Sequence, residues 1–509
     1  MPSDCWFNIV SNCRYSGNPL FLYIVGEIDV NNNYIIMVRK SLRLIAGAGT
    51  AAASVAGCAS PQAEQKPNIV FFFADDIGVE CFGCYGGAEY QTPNIDSLAS
   101  QGIQYMNMNA QPLSSPSRVQ LLTGQYNDRN YSAFGYINDD EHNFAELAHS
   151  AGYNTAIVGK WQLGRDRKMI SRMGFDESYC SQVELYRETR GATQTDRYAN
   201  SIWDINGKSY DFALYGPDSM QDFAFDYIDR QTAAGQPFLL YYTEPLVHTP
   251  HVTTPDCEEW DLDYGSRFTA AQDTSNFRAM VAYMDKQVGE MVGYLKDKGL
   301  WDNTIFIFCS DNGTSTRIVS KQQDGRRERG GKGEANYFAT HVPLIICWGD
   351  KVQPRQVEHL VDLTDFLPTF ADAMGVQVPE DWTVDGVSLY PEICGGEPCE
   401  KPLVLIHFNP LWPTTPSPKA SRYAMNDTYA YFWDGRIYNY REDPRFTSPT
   451  MYDDASDELK SAVAALKTRV EDKSAGYSYG AGFYPDAPGA PRRGDYKTFY
   501  DWANPQNPF

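Results

Sequence analysis

Asn68-Ile69-Val70-Phe71-Phe72-Phe73-Ala74 runs directly into Asp75-Asp76. A short apolar run ending in two acids reads as a buried strand whose polar end leaves the sheet. The pattern returns at Thr304 to Cys309 (TIFIFC), which ends in Ser310-Asp311-Asn312-Gly313. Pro237 to Thr243 (PFLLYYT), Thr155 to Val158 and Pro343 to Trp348 (PLIICW) are further apolar strands. Helical signals lie between them. Thr92-Pro93 opens a helix through about Gln101, with Thr as N-cap and Pro in the first turn. A second helix is expected to start near Ser117. Phe277, Met280, Met284, Val288, Met291 and Leu295 recur at helical spacing and predict a core-facing stripe.

Strands alternating with helices indicate an α/β fold: a central sheet, mostly parallel, with helices on both faces. Asp75-Asp76 and Asp311-Asn312 both fall at carboxyl ends of strands, where such sheets collect ligands. After about residue 395 the pattern changes. Tyr429 to Trp433 and Ile437 to Tyr440 read as short aromatic strands around an Asp434-Gly435 turn. Leu459, Val463, Leu466 and Val470 mark one amphipathic helix. The expected division is a large domain over 67–395, a small α+β subdomain over 396–485 and a Pro-, Gly- and aromatic-rich tail over 486–509.

The 509 residues carry 43 Lys+Arg against 65 Asp+Glu, a net charge of −22. That acid excess argues against nucleic acid as a partner, which needs a basic face. It leaves room for an anionic small substrate, because a local basic pocket can sit inside an acidic shell. With 42% hydrophobic and 21% charged residues the chain has globular rather than disordered composition.

No run of eighteen or more apolar residues is present. From Met37 the chain reads MVRKSLRLIAGAGTAAASVAGC. Arg39, Lys40 and Arg43 form a positive segment, Leu44 to Ala53 a small-residue apolar segment, and Val55-Ala56-Gly57-Cys58 resembles a bacterial lipoprotein cleavage box. Residues 37–57 are therefore expected to be an export signal, with 1–36 upstream of the true start. Cys58 would be the lipidated residue that anchors the chain to a membrane, and 58–66 a tether. The expected location is the periplasm or the outer membrane of a bacterium. Eight cysteines follow Cys58, an even number that permits disulfides without giving their pairing. Cys81 and Cys84 lack a matching second half with zinc spacing and read as structural or free. Cys394 and Cys399 are close enough in sequence to close a small loop.

The stretch that speaks to chemistry is Ser114-Ser115-Pro116-Ser117-Arg118-Val119-Gln120-Leu121-Leu122-Thr123-Gly124. It resembles the signature of the sulfatase family, a Cys or Ser followed by x-Pro-Ser-Arg and Leu-Thr-Gly. The resemblance takes in Asp75-Asp76, Gly159-Lys160-Trp161, His248-Thr249-Pro250, Ser310-Asp311-Asn312-Gly313 and Gly330-Gly331-Lys332-Gly333. It runs from about Lys66 to Gly395 and implies an alkaline-phosphatase-like fold. It also implies that Ser114 is oxidised to formylglycine, whose hydrate attacks sulfur and expels the alcohol, and then releases sulfate as the aldehyde re-forms. A serine at this position implies a serine-type radical sulfatase-maturing enzyme as partner.

A sulfate ester repels anionic nucleophiles and has a poor leaving group. Its hydrolysis needs positive charge around sulfur, a strong nucleophile and an acid for the departing oxygen. Asp75, Asp76, Asp311 and Asn312 are hard oxygen donors suited to Ca²⁺ or Mg²⁺. The resemblance implies one Ca²⁺, with residue 114 joining the metal set. It implies that Arg118 orients the nucleophile, that Lys160 and Lys332 hold sulfate oxygens, and that His248 protonates the leaving oxygen. His251 reads either as part of the pocket or as a surface residue. For His142, His149 and His359 a structural role is the simpler reading; His407 reads equally as substrate contact or packed imidazole.

Two departures stand out. The family reads Gly-Lys-Trp-His where this chain has Gln162 as the fourth residue, an amide that hydrogen-bonds but takes no proton. After Lys332 the family's Glu-Gly-Gly-x-Arg-Val-Pro is replaced by Tyr337-Phe338-Ala339-Thr340-His341-Val342-Pro343, which changes pocket shape and brings His341 into question. The expected activity is removal of sulfate from a sulfated carbohydrate by a divergent, exported sulfatase. The alternatives are a phosphodiester or phosphonate ester hydrolase of the same superfamily and a non-catalytic binder of sulfated glycans.

Overall fold

The computed structural model describes residues 66–131, 134–138, 140–164, 168–181, 197–199, 201–211, 214–260, 274–398, 400–409 and 421–472. It also describes three strands near the N-terminus, Asn8–Tyr15, Asn18–Asp29 and Tyr34–Leu42, paired antiparallel. The last of these runs through Met37, Arg39 and Lys40 of the expected export signal. Leu44 to Cys58, Cys399 and the tail 486–509 lie outside the described residues.

A ten-stranded sheet organises the large domain. Across it the order is Lys208–Asp211, Ile202–Ile205, Glu177–Ser181, Asn154–Lys160, Phe238–Thr243, Asn68–Ala74, Thr304–Ser310, Leu344–Cys347, Ile103–Tyr105, Arg355–Val357. From Glu177–Ser181 to Thr304–Ser310 neighbouring strands pair parallel. Leu344–Cys347 and Ile202–Ile205 run against this group, each pairing antiparallel with both of its neighbours. All seven residues of Asn68–Ala74 are buried. Ile69, Phe71 and Phe73 pack on one face, while Val70, Phe72 and Ala74 pack on the other. Two-sided covering explains why that strand reads as a continuous apolar run instead of an alternating one. Each fully buried Phe contributes about 2–3 kcal/mol of burial, so the strand is a strong anchor for the acids after it.

Helix Phe277–Asp297 buries the predicted stripe of Met280, Met284, Val288, Met291 and Leu295. Helix Pro93–Gln101 begins where predicted, but the Thr92 side chain makes no capping bond; its hydroxyl donates to Asp96 Oδ1 at 3.2 Å. The small subdomain is a five-stranded antiparallel sheet: Val404–Phe408, Ser421–Met425, Tyr429–Phe432, Arg436–Asn439, Thr450–Met451. The single amphipathic helix expected here is two, Asp457–Ala462 and Ala464–Glu471, because the backbone turns out of helical geometry at Val463. Val463, Leu466 and Val470 are buried against the sheet, so the apolar stripe survives the break.

Candidate active site

Ser114 opens helix Ser114–Thr123, all ten residues of which are buried. The helix starts three residues before the Ser117 expected from sequence. Pro116 is tolerated in the first turn, where a missing N–H costs nothing. Ser117 fixes the entry: its hydroxyl accepts from Gln111 N at 3.0 Å and donates to Leu113 O at 3.0 Å. Ser114 thus occupies the positive end of a buried helix, among N–H groups with no partner inside that helix. Arg118 lies one turn on and reaches back, its Nε donating to Ser114 Oγ at 2.9 Å. Its Nη2 pairs with Asp311 Oδ2 at 3.0 Å, and the Phe73 ring lies 5.2 Å from the guanidinium. Lys160 Nζ donates to Ser114 Oγ at 2.8 Å and to Asp75 Oδ2 at 2.6 Å.

The sheet aligns the rest. Asn68–Ala74 and Thr304–Ser310 pair parallel with Ser310 opposite Ala74, so Asp75-Asp76 and Asp311-Asn312 leave the sheet side by side. Asp76 is left-handed at φ 63°, which turns its N–H toward Asp311 Oδ1 at 3.1 Å. Asn312 Nδ2 donates to Asp76 Oδ1 at 2.9 Å. Lys160 ends its strand after Gly159, where φ is 119° and a Cβ would lie 2.0 Å from Thr243 O; only glycine fits that approach. Lys332 Nζ pairs with Asp76 Oδ2. His248 Nε2 lies 3.5 Å from the same oxygen, while Nδ1 sits 2.6 Å from Thr249 O. Nδ1 is therefore the protonated nitrogen, and Nε2 faces the acids.

Burial sets the proton affinities. It pushes the Lys160 ammonium down to about 8, against the pull of Asp75. It raises the Asp311 carboxyl, with Asp75 adding to the effect and Arg118 opposing it. It holds His248 well below its ordinary value, and the positive charges of Arg197, Lys332 and Lys160 act in the same direction. A nearby sulfate would oppose that shift by favouring the imidazolium.

Asp75, Asp76 and His248 offer ligand atoms that all lie within 4.8 Å of one another. Asp75 Oδ1 and Asn312 Oδ1 are buried without a hydrogen-bond partner. Unsatisfied buried oxygens are costly and are the donors a hard divalent cation takes. The residues present fit Ca²⁺ on that ground. Asp311 accepts from Arg118 and from the Asp76 N–H, one bond on each oxygen, as Asp76 accepts from Asn312 and Lys332; each of these oxygens keeps a second lone pair for a cation.

The Sulfatase family model matches residues 67–376. The chain belongs to the sulfatase family. It is a sulfuric ester hydrolase, as the family assignment and its curated sulfatase relatives indicate. N-acetylgalactosamine-6-sulfatase of Canis lupus familiaris is 29% identical over 409 residues, covering 75% of this chain and 74% of the relative. N-acetylglucosamine-6-O-sulfatase of Bacteroides thetaiotaomicron is 26% identical over 442 residues, covering 67% and 74%. Among solved structures, Ps i-CgsB in complex with k-i-k-neocarrahexaose superposes with a TM-score of 0.66 at 23% identity, covering 87% of this chain and 98% of that one. The phosphonate monoester hydrolase of Agrobacterium radiobacter reaches 0.53 at 20% identity, covering 79% and 94%, and so shares the fold.

The sulfatase's other polar candidates divide by position. Gln162 follows Lys160 and Trp161, is left-handed at φ 52°, and buries Oε1 without a partner. His251 is buried edge-on to Phe277. His142 stacks on Trp382 and pairs with Glu146; His149 pairs with Asp176; His359 pairs with Glu392. His341 stacks on Tyr337, and its Nε2 lies 2.9 Å from Met106 O. His407 is fully buried on its strand beside Arg422, 3.4 Å from Nη1. Cys81 and Cys84 are free thiols, and Cys394 is free and exposed. Sequence reasoning passed over Arg197 and Tyr198. The Tyr198 hydroxyl donates to Pro245 O at 2.9 Å and to His248 O, which fixes the histidine loop. Neither residue stands in a recognisable motif, so no sequence signal pointed to them.

Proposed function

We propose that this sulfatase is an exported bacterial enzyme that removes sulfate from a sulfated carbohydrate. Its nucleophile would be formylglycine made from Ser114 by a serine-type radical sulfatase-maturing enzyme. One Ca²⁺ would be held by Asp75, Asp76, Asp311 and Asn312 together with residue 114. The observation that carries the reading is the setting of Ser114. Two cations donate to its hydroxyl at the positive end of a buried helix, beside orphaned carboxylate and amide oxygens. Formylglycine would supply a hydrated aldehyde as nucleophile, and the cation positive charge toward the sulfuryl oxygens.

The chain's own residues do the rest. Arg118 and Lys160 orient the group at position 114 and offset charge that builds on it. Lys332, anchored on Asp76, meets the sulfuryl oxygens. As the imidazolium that a bound sulfate favours, His248 gives its Nε2 proton to the leaving sugar oxygen and keeps the Nδ1 proton on Thr249 O. Gln162 takes the place of a family histidine with a hydrogen-bonding amide, so a proton released there must go to another group. Curated relatives named for 6-sulfated N-acetylhexosamines support a sulfated carbohydrate as substrate. The order of positive segment, apolar segment and Cys58 supports export with a lipid anchor.

Peptide mass spectrometry tests the reading. The full chain is expressed with a serine-type maturing enzyme, and the peptide carrying Ser114 should lose two hydrogens. Sulfate and phosphate esters of one aryl alcohol are then compared, and the sulfate should be hydrolysed faster. An unmodified Ser114 in protein that still turns over would overturn the proposed nucleophile.

A further inference from the structure

One cation of the site is unlike the others. Arg118 is paired with Asp311, Lys160 with Asp75 and Lys332 with Asp76. Arg197 is only 7% exposed, yet among the described residues it forms no ion pair and its buried Nη1 has no hydrogen-bond partner. A buried guanidinium left in that state is costly, because its desolvation is not offset by a partner. It is retained where something else supplies the negative charge.

Its position is fixed from both sides. The next residue, Tyr198, bonds the carbonyls of Pro245 and His248. Gly216 N donates to Tyr198 O at 2.5 Å, and a Cβ on Gly216 would lie 3.2 Å from Arg197 O. Ala199 bridges to Tyr215. The segment is thus pressed between the His248 loop and the start of helix Gly216–Ala234. Through Tyr198 the segment that carries Arg197 is tied to the loop of His248, the expected acid, on the leaving-group side of the site.

We propose that Arg197 recognises a second anionic group, a carboxylate or a further sulfate, on the sugar that departs from the scissile sulfate. The proposal rests on the sulfatase reading and its carbohydrate substrate. A guanidinium matches both anions because its planar fork gives two parallel hydrogen bonds to a carboxylate or sulfate edge. Three cations already face the scissile group and are neutralised by aspartates. The uncompensated one is aimed at charge elsewhere on the substrate, which would restrict the enzyme to multiply charged sugars.

The test compares matured full-length wild type, Arg197→Ala and Arg197→Lys on a sulfated N-acetylhexosamine with and without a second sulfate on the ring, and on a sulfated hexosamine linked to a uronate. Arg197→Ala should lower the ratio of kcat/KM for doubly over singly charged sugar at least about tenfold, the loss of one charged hydrogen bond. Arg197→Lys should recover part of it. The two doubly charged sugars separate sulfate from carboxylate as the anion. In Ser114→Ala protein, which needs no maturation, adding Arg197→Ala should weaken calorimetric binding of the doubly charged sugar by at least about tenfold. An equal fall on all sugars would assign Arg197 to the scissile sulfate and overturn the proposal, as would unchanged ratios or unchanged binding. A wild type inactive on every sulfate ester, simple aryl sulfates included, would instead overturn the activity on which it rests.

Discussion

Two buried charge clusters in this molecule look alike in composition and differ in bookkeeping of hydrogen bonds. One surrounds Ser114. The other joins the large domain to the small subdomain through Asp128, just beyond the Ser114 helix. There Arg469 grips Asp128 with two bonds of 2.7 and 3.1 Å, and Arg422 adds a third contact at 3.0 Å. Arg422 also donates to the carbonyls of Val470 and Asp472 at 2.9 and 3.0 Å. Nearby, Lys401 sits on Asp362 and Asp365 at 3.0 and 2.7 Å. At the joint, the carboxylates and guanidinium groups close on one another. Around Ser114, by contrast, Asp75 Oδ1, Asn312 Oδ1, Gln162 Oε1 and Arg197 Nη1 are buried and unmet among the described residues. Charged groups that meet one another support the fold, whereas unmet buried oxygens and a guanidinium gathered around one nucleophile candidate are what a bound ligand would satisfy.

The contrast implies opposite responses to substitution. Ser114→Ala should cost more than about 1000-fold in sulfate ester hydrolysis while shifting stability by no more than about 1 kcal/mol. Steady-state rates and a denaturant titration measure the two separately. Retained activity would break the assignment of the nucleophile. Asp128→Ala should do the reverse. It strands Arg422, only 2% exposed, and should cost about 3–5 kcal/mol of stability. Rates per folded molecule should change far less than for Ser114→Ala. A variant as stable as wild type would show that the joint is ornamental.

How far each cluster could be read from sequence follows from how it is built. The Ser114 site was legible because strands fix its spacing: acids directly after Asn68–Ala74 and Thr304–Ser310, a lysine at the end of Asn154–Lys160. The joint was not, since Asp128 and Arg469 lie 341 positions apart and meet only through the packing of a subdomain. Arg197 was invisible for a related reason: a lone arginine reads as surface until its burial is known. The edge strand Arg355–Val357 and the strand next to the other edge, Ile202–Ile205, also escaped notice. They are short and mixed in polarity, and what makes them strands is a partner elsewhere in the chain.

The joint should also respond to acid. Burial pushes His407 down to about 3, with Arg422 adding to the effect. A folded value below the unfolded one of about 6.5 means that the unfolded chain binds more protons between those limits. Stability from this group is present in full above about pH 6.5 and falls as the pH drops, by at most about 1.4 kcal/mol per unit. Denaturant titrations at pH 6.5 and 5.5 should show the loss in wild type, and His407→Gln should reduce it by about 1 kcal/mol. An identical loss in the variant would place the acid sensitivity elsewhere.

A third ion pair sharpens the comparison by removing burial. Arg230 meets Glu177 through two bonds of 2.6 and 2.7 Å, geometry as good as that of Arg469 on Asp128. Its side chain is 45% exposed, against 16% for Arg469. Water solvates either partner when the other is lost, so no stranded charge remains. Glu177→Gln should therefore cost only about 0.5 kcal/mol, and less at high salt. If it cost as much as Asp128→Ala, hydrogen-bond geometry rather than desolvation would set the strength of these pairs. The closed joint would then owe its stability to its forks, and burial alone would no longer distinguish a cluster that holds the fold from one that waits for substrate.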